Sequence, residues 1–191
     1  MNAAVLVTWV WLAFEIGLAV RDRLRSKGST ARDRGTRTVI MILVAVSIGV
    51  ANVVSIVLPA GSDLRFTGSH PVIWQAIGVV LMVFGLAVRV WAITVLGKDF
   101  RTTVEVDPDQ PVVDRGPYRW VRHPSYSGVL LLTTGFGIAA GNWISLLIVI
   151  IVPTLAFLRR IEVEEKAMIE TLGRAYEEYR ARTRRLVPGL W

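Results

Sequence analysis

The sequence predicts an all-α integral membrane protein: five transmembrane helices, the last two a helical hairpin, with a cytoplasmic loop and a C-terminal amphipathic helix. Three observations predict it. Of 191 residues 53% are hydrophobic, and mean hydropathy is +0.50. The apolar residues gather in long blocks; those at 3–20, 39–58 and 72–96 approach or exceed the roughly 20 residues that cross about 30 Å of hydrocarbon. All basic residues except Arg65 and Arg89 fall in three segments at the ends of such blocks. The length suits one domain over 1–191, with three spans in 1–96 and a site-bearing region in 97–191.

The first block lacks a basic leader and exceeds the apolar core of a signal peptide, so it reads as a span. Its one acid is Glu15, followed nearly two turns later by Arg21. An ionisable residue inside a span is a functional candidate, but a structural ion pair near the helix end accounts for it equally. The second block has no such residue. In the third, Arg89 can either snorkel its long side chain toward the interface or contact a substrate or headgroup. The connection at 59–71 is short and turn-rich, and no chemistry is expected there.

The segment 97–122 follows. Residues 102–106 are β-branched enough for an extended strand, Asp107-Pro108-Asp109-Gln110-Pro111 marks a turn, and Val112-Val113 is extended again. Then comes Arg115-Gly-Pro-Tyr-Arg-Trp-Val-Arg-His-Pro-Ser-Tyr-Ser-Gly128, where polar, aromatic and Gly/Pro residues crowd between two apolar blocks. Connections with this much hydrogen-bonding capacity often carry function.

The block at 128–158 is too long for one span. Gly141-Asn142 divides it into helices at about 127–140 and 143–158, a tight hairpin; the alternative is one long kinked helix. The basic segments at 21–37, 98–122 and 159–185 decide between them. With five spans all three lie on one side, which the positive-inside rule makes cytoplasmic, placing the N-terminus outside and the C-terminus inside. A single span in the last block would strand the tail on the opposite face.

Beyond Leu158, Ala167, Ile169, Leu172, Tyr176 and Tyr179 recur at three- and four-residue spacing, the apolar face of a helix that Gly173 interrupts. Arg160 and Glu164, four apart, share one helix face. They make either a plain helix salt bridge or a pair of fixed charges aimed into a pocket beneath the membrane. This cluster and the 115–128 segment, on one face, place a site at the cytoplasmic edge of the bilayer.

Composition excludes several functions. The net charge of +7 and pI near 10.5 do not point to nucleic acid, because the basic residues flank spans, where topology and anionic lipid headgroups explain them. Without cysteine there is no disulfide or thiolate metal site. No metal site is expected, since His70 and His123 should face opposite sides of the bilayer. No glycine-rich phosphate fingerprint appears; Gly135-Phe136-Gly137 lies inside a span and reads as packing.

From Leu96 to Pro188 the chain resembles the isoprenylcysteine carboxyl methyltransferase family. The residues that carry the resemblance are Leu96-Gly97, Gly116-Pro117-Tyr118, Arg122-His123-Pro124-Ser125-Tyr126-Ser127-Gly128, Arg160, Glu164-Glu165, Gly173, Tyr176-Glu177-Glu178-Tyr179 and Arg185-Leu186-Val187-Pro188. Arg-His-Pro-x-Tyr alone is shared with related phospholipid methyltransferases and membrane reductases; the ordered set is more specific. The first 95 residues carry no matching motif.

The resemblance implies a membrane enzyme that transfers methyl from S-adenosylmethionine to the carboxylate of a prenylated cysteine or similar lipidic acceptor. It implies cofactor contacts at Glu105, Gln110, Pro111, Val112, Val113, Tyr118, His123, Pro124, Ser125, Tyr126 and Glu164. Arg160 would be the catalytic residue, facing the acceptor carboxylate, for which the bidentate guanidinium is a natural clamp. Three other readings remain open on the residues. One is methyl transfer to a phospholipid amine or small thiol, another an NADPH-dependent membrane reductase of related architecture, and the third a non-catalytic scaffold.

Overall fold

A computed structural model describes residues 3–25, 36–97, 100, 106, 107 and 110–189. It is all-helical. Helix α1 runs Ala3–Arg25, α2 Thr36–Val57, α3 Pro71–Leu96, α4 Pro124–Ala140, α5 Trp143–Leu172 and α6 Arg174–Arg182, with a 3-10 turn at Gly116–Arg119 before α4. The extended stretch expected at 102–106 lies outside the described residues except for Val106. Gln110 N donates to Asp107 O at 3.0 Å, as a turn there requires. Residues 110–113 form no strand.

Sequence signals set the helix ends. Pro71 and Pro124 stand at the first positions of α3 and α4, where a missing N–H costs nothing. Gly141 ends α4 in the left-handed region at φ 72°, and Asn142 then caps α5 by accepting from Ser145 N at 2.8 Å. The hairpin therefore turns where the sequence predicts. Beyond Leu158 the chain does not start a new helix: α5 continues unbroken to Leu172 and breaks only at Gly173.

Among the described residues, four helices (α1, α2, α3 and α5) are long and apolar enough to cross a membrane, and the chain is a multi-pass membrane protein. Their outer faces carry exposed apolar side chains such as Ile16, Val53, Val80, Phe84 and Leu155. Their inner faces bring small residues together. A Cβ on Gly78 would lie 2.4 Å from Gly135 O, and one on Gly85 2.5 Å from Gly128 O, so α3 and α4 approach almost backbone to backbone. Such small-residue contacts are how helices associate in lipid, where apolar burial gives no net drive.

The connections pair up at the two ends. At one end, Phe66 N donates to Gly141 O at 3.3 Å and Trp143 N to Leu64 O at 3.0 Å, joining the α2–α3 connection to the hairpin turn. Arg65 donates there to Ser55 O and Leu58 O, capping the last carbonyls of α2. At the other end, Arg122 N donates to Arg184 O at 2.7 Å and His123 N to Arg185 O at 3.0 Å, tying the C-terminal segment to the entry of α4.

Candidate active site

The site forms at this second end. His123, immediately before α4, is held between two neighbouring acids of α5: its Nδ1 lies 3.5 Å from Glu164 Oε2 and its Nε2 3.4 Å from Glu165 Oε1. Burial by itself would lower the imidazole pKa. Hydrogen bonding and charge from the two carboxylates outweigh it and hold the value above the ordinary 6.5. The ring stacks on Tyr126, which stacks on Phe157 with centroids 4.6 Å apart.

Glu164 is where the start of α4 meets α5. Its Oε1 accepts from Tyr126 Oη at 2.6 Å and from Arg160 Nε at 2.7 Å. The bond to Arg160 is the pair expected from their four-residue spacing, and both side chains also line a cavity. The salt-bridge and pocket readings thus both hold. Glu165, one residue on, faces elsewhere: it accepts from Arg122 Nε at 2.8 Å and Arg185 Nε at 3.2 Å, fixing the C-terminal segment against the entry of α4. Tyr179 Oη donates to Tyr118 O at 2.8 Å, which brings α6 over the 3-10 turn. Burial raises the Tyr118 hydroxyl well above its ordinary value, so it remains protonated at neutral pH.

Gln110, Pro111, Val112, Val113, Tyr118, His123, Ser125, Tyr126, Arg160 and Glu164 all line this one cavity. Pro124 does not; it is fully buried at the start of α4. Glu105 lies outside the described residues. The cavity lining is of two chemical kinds: a polar limb of 110–113, Tyr118, His123, Glu164, Tyr176 and Tyr179, and an apolar limb of Trp11, Ile40, Met41, Val44, Val129 and Phe157.

Two further residues on the cavity wall, Glu15 and Arg89, form an ion pair, one of the roles open to them, but with a partner the sequence did not name. Arg89 does not snorkel to the interface: it is 8% exposed, and its partner is Glu15. Arg21, the neighbour in sequence that could have paired with Glu15, instead has its guanidinium over the Phe100 ring. A charge within a span was the signal for both residues, but helical spacing within α1 could not name a partner on α3.

The match to known proteins centres on the same elements. Residues 77–170 match the model of the isoprenylcysteine carboxyl methyltransferase (ICMT) family. Protein-S-isoprenylcysteine O-methyltransferase B of Arabidopsis thaliana is 28% identical over 154 residues, covering 79% of this chain and 78% of the plant protein. The Saccharomyces cerevisiae protein-S-isoprenylcysteine O-methyltransferase is 36% identical over 106 residues, 54% of this chain and 44% of the yeast one. A probable protein-S-isoprenylcysteine O-methyltransferase of Oryza sativa is 30% identical over 105 residues, 54% of this chain and 55% of its own. The solved structure of the eukaryotic intramembrane Ras methyltransferase ICMT superposes with a TM-score of 0.64 at 25% identity, over 78% of this chain and 52% of that one. The chain thus spans about half the length of the rice, yeast and solved relatives. The matched region takes in most of α3, all of α4 and most of α5, and over these elements the chain is similar to the isoprenylcysteine carboxyl methyltransferase family.

Proposed function

We propose that the protein is an integral-membrane, S-adenosylmethionine-dependent methyltransferase that O-methylates the carboxylate of a lipidic, isoprenylcysteine-like acceptor. The observation that carries this reading is one cavity lined by both polar and apolar residues, with Arg160 and Glu164 on its wall. A polar, charged reactant and an apolar-tailed one would meet there without either leaving its preferred surroundings. The named activities of the relatives support the same reaction.

The residues of the polar limb fit the cofactor. S-adenosylmethionine supplies a methyl group on a sulfonium, and it also presents an ammonium, a ribose and an adenine. Glu164 is an anion for the ammonium or the ribose hydroxyls, and the backbone of 110–113 offers groups for adenine. His123 and Tyr126 hold Glu164 in place through their contacts with it. Glu105 belongs to this set by its motif position. An acceptor carboxylate is already ionised at neutral pH, so no side chain has to act as general base. What the chain supplies is position, and orientation of this kind can be worth about 7–11 kcal/mol of the barrier. Arg160 holds the acceptor carboxylate.

The reading is tested by titrating purified protein with S-adenosylhomocysteine and, in parallel, with NADPH by calorimetry. Saturable binding of S-adenosylhomocysteine without added metal is expected, and none of NADPH. The reverse pattern favours the reductase, and binding of neither favours a scaffold.

Five spans, with the N-terminus outside and the site at the cytoplasmic face, complete the proposal. Helix α4 has 17 residues, about 25 Å of helix, which is short for a span. It nevertheless joins the end where the α2–α3 connection meets the hairpin turn to the end where the C-terminal segment meets His123. Phe66, Trp74 and Trp143 cluster at the first end, as aromatic residues do at a membrane interface. Single cysteines replacing Asp63 and Glu177 are expected to label oppositely in intact cells: the first reacts with an impermeant thiol reagent, the second only after permeabilisation. The native chain has no cysteine to confuse the signal. Labelling of both from outside overturns the orientation.

A further inference from the structure

The buried pair between α1 and α3 is the feature that cofactor binding and Arg160 leave unexplained. Glu15 is 3% exposed, and both its oxygens face Arg89: Nε donates to Oε1, and Nη2 to Oε2 at 2.7 Å. Trp11 Nε1 donates to the same Oε1 at 3.0 Å. On the far side of the guanidinium, Arg89 Nη1 donates to Ser125 Oγ at 2.8 Å and Ser125 O at 3.3 Å. This chain runs from the first helix to the turn of α4 that carries His123 and Tyr126. All four residues line the cavity, and their bonds link Trp11 of its apolar limb to Ser125, next to Tyr126.

Stability alone is a poor account of such a pair. The cost of removing both charges from water offsets most of their attraction, and an apolar pair of the same volume would hold α1 on α3 as well. Ionisable groups inside a span are instead concentrated where polar substrate parts must be met. The geometry also fixes more than a salt bridge needs. With Nε and Nη2 bonded to Glu15 and Nη1 to Ser125, the guanidinium is held from both sides.

We propose that Glu15 is a positioning residue for the acceptor: it fixes Arg89 on the cavity wall, in the chain of bonds between Trp11 and Ser125, where the polar end of an apolar-tailed acid would stop. This rests on the methyltransferase reading for the identity of the acceptor. It makes α1, which carries none of the family's motif residues, part of the acceptor site. Glu15 touches no reactant. It acts through Arg89, with Trp11 orienting its carboxylate.

The test compares wild type, Glu15→Gln and Glu15→Asp in detergent. N-acetyl-S-farnesylcysteine binding is measured by tryptophan fluorescence, S-adenosylhomocysteine binding by calorimetry, and methyl transfer by steady-state kinetics. Glu15→Gln is expected to weaken binding of the farnesylated acid about tenfold and to raise its KM in parallel, with kcat and S-adenosylhomocysteine affinity held within twofold. Glu15→Asp keeps the charge but shortens its reach, and is expected to lose only about threefold. It also remains readable if the glutamine variant does not fold. A purely structural role would lower thermal stability and both affinities together, and that result overturns the proposal. So does acid affinity unchanged in both folded variants, or a wild type that does not bind the acid. Wild type that binds the acid but no S-adenosylhomocysteine removes the methyltransferase reading, while the acid titration still decides the role of Glu15.

Discussion

Replacing Arg160 by lysine is expected to lower kcat/KM for a farnesylated cysteine acceptor by about 10–100-fold, or about 1.4–2.8 kcal/mol of transition-state stabilisation. S-adenosylhomocysteine should bind almost as before. Arg160 is 2% exposed on α5, one turn before Glu164, and its Nε already donates to that carboxylate at 2.7 Å. A guanidinium divides its charge over a planar fork of donors, one of which, Nε, holds Glu164. An ammonium has a single nitrogen on a flexible stem and cannot reproduce that division, so the substitution is not conservative. Steady-state kinetics with the farnesylated acid, alongside calorimetry with S-adenosylhomocysteine, check the result. Lost cofactor affinity with acceptor kinetics intact would move Arg160 to the cofactor's side. Phosphatidylethanolamine and a small thiol serve as control acceptors: methylation of these alone removes the acid-acceptor reading and leaves the methyltransferase.

Glu164→Ala is expected to weaken S-adenosylhomocysteine binding by about 1.5–3 kcal/mol, the scale of a hydrogen bond to a charged group. Its effect should exceed that of removing any one of its neighbours, because the carboxylate accepts from Tyr126 and Arg160 at once and lies beside His123. Truncation leaves those donors facing a void as well as removing an anion from the polar limb. Calorimetry on the folded variant reads the change. Unchanged affinity there takes Glu164 out of the cofactor site. Glu165→Ala makes an informative partner: that carboxylate holds Arg122 and Arg185 and does not line the cavity, so stability should fall more than cofactor affinity.

Much of the cavity wall was legible in the sequence because its residues are local to two segments. Residues 110–126 bring Gln110, Tyr118, His123 and Tyr126 within one connection and the first turn of α4. That Arg160 and Glu164 share one face follows from helical spacing, four residues making one turn, while their place at a site came from the family resemblance. What spacing could not say was that Glu164 would turn to Tyr126 and Arg160 while Glu165 took Arg122 and Arg185. Adjacent helix positions point about 100° apart, and only the packing of α4 and the C-terminal segment against α5 shows which direction faces the cavity.

The residues of the polar limb were named by the family resemblance; by itself the sequence determined the apolar blocks, the hairpin turn at Gly141-Asn142 and the helix break at Gly173. Each is a local property, a run length, a backbone preference or a periodicity, written within a few residues. Tertiary structure alone decided that Glu15 meets Arg89, 74 positions away, and that Arg89 meets Ser125, 36 away. It also decided that α1 and α2 wall the apolar limb. The physical reason lies in the solvent. In water, an apolar stripe identifies the face a helix buries; in lipid the outward face is apolar too, as Ile16, Val53 and Val80 show. Facing is then set by close packing of small residues and by a few buried polar contacts, whose partners lie on other helices.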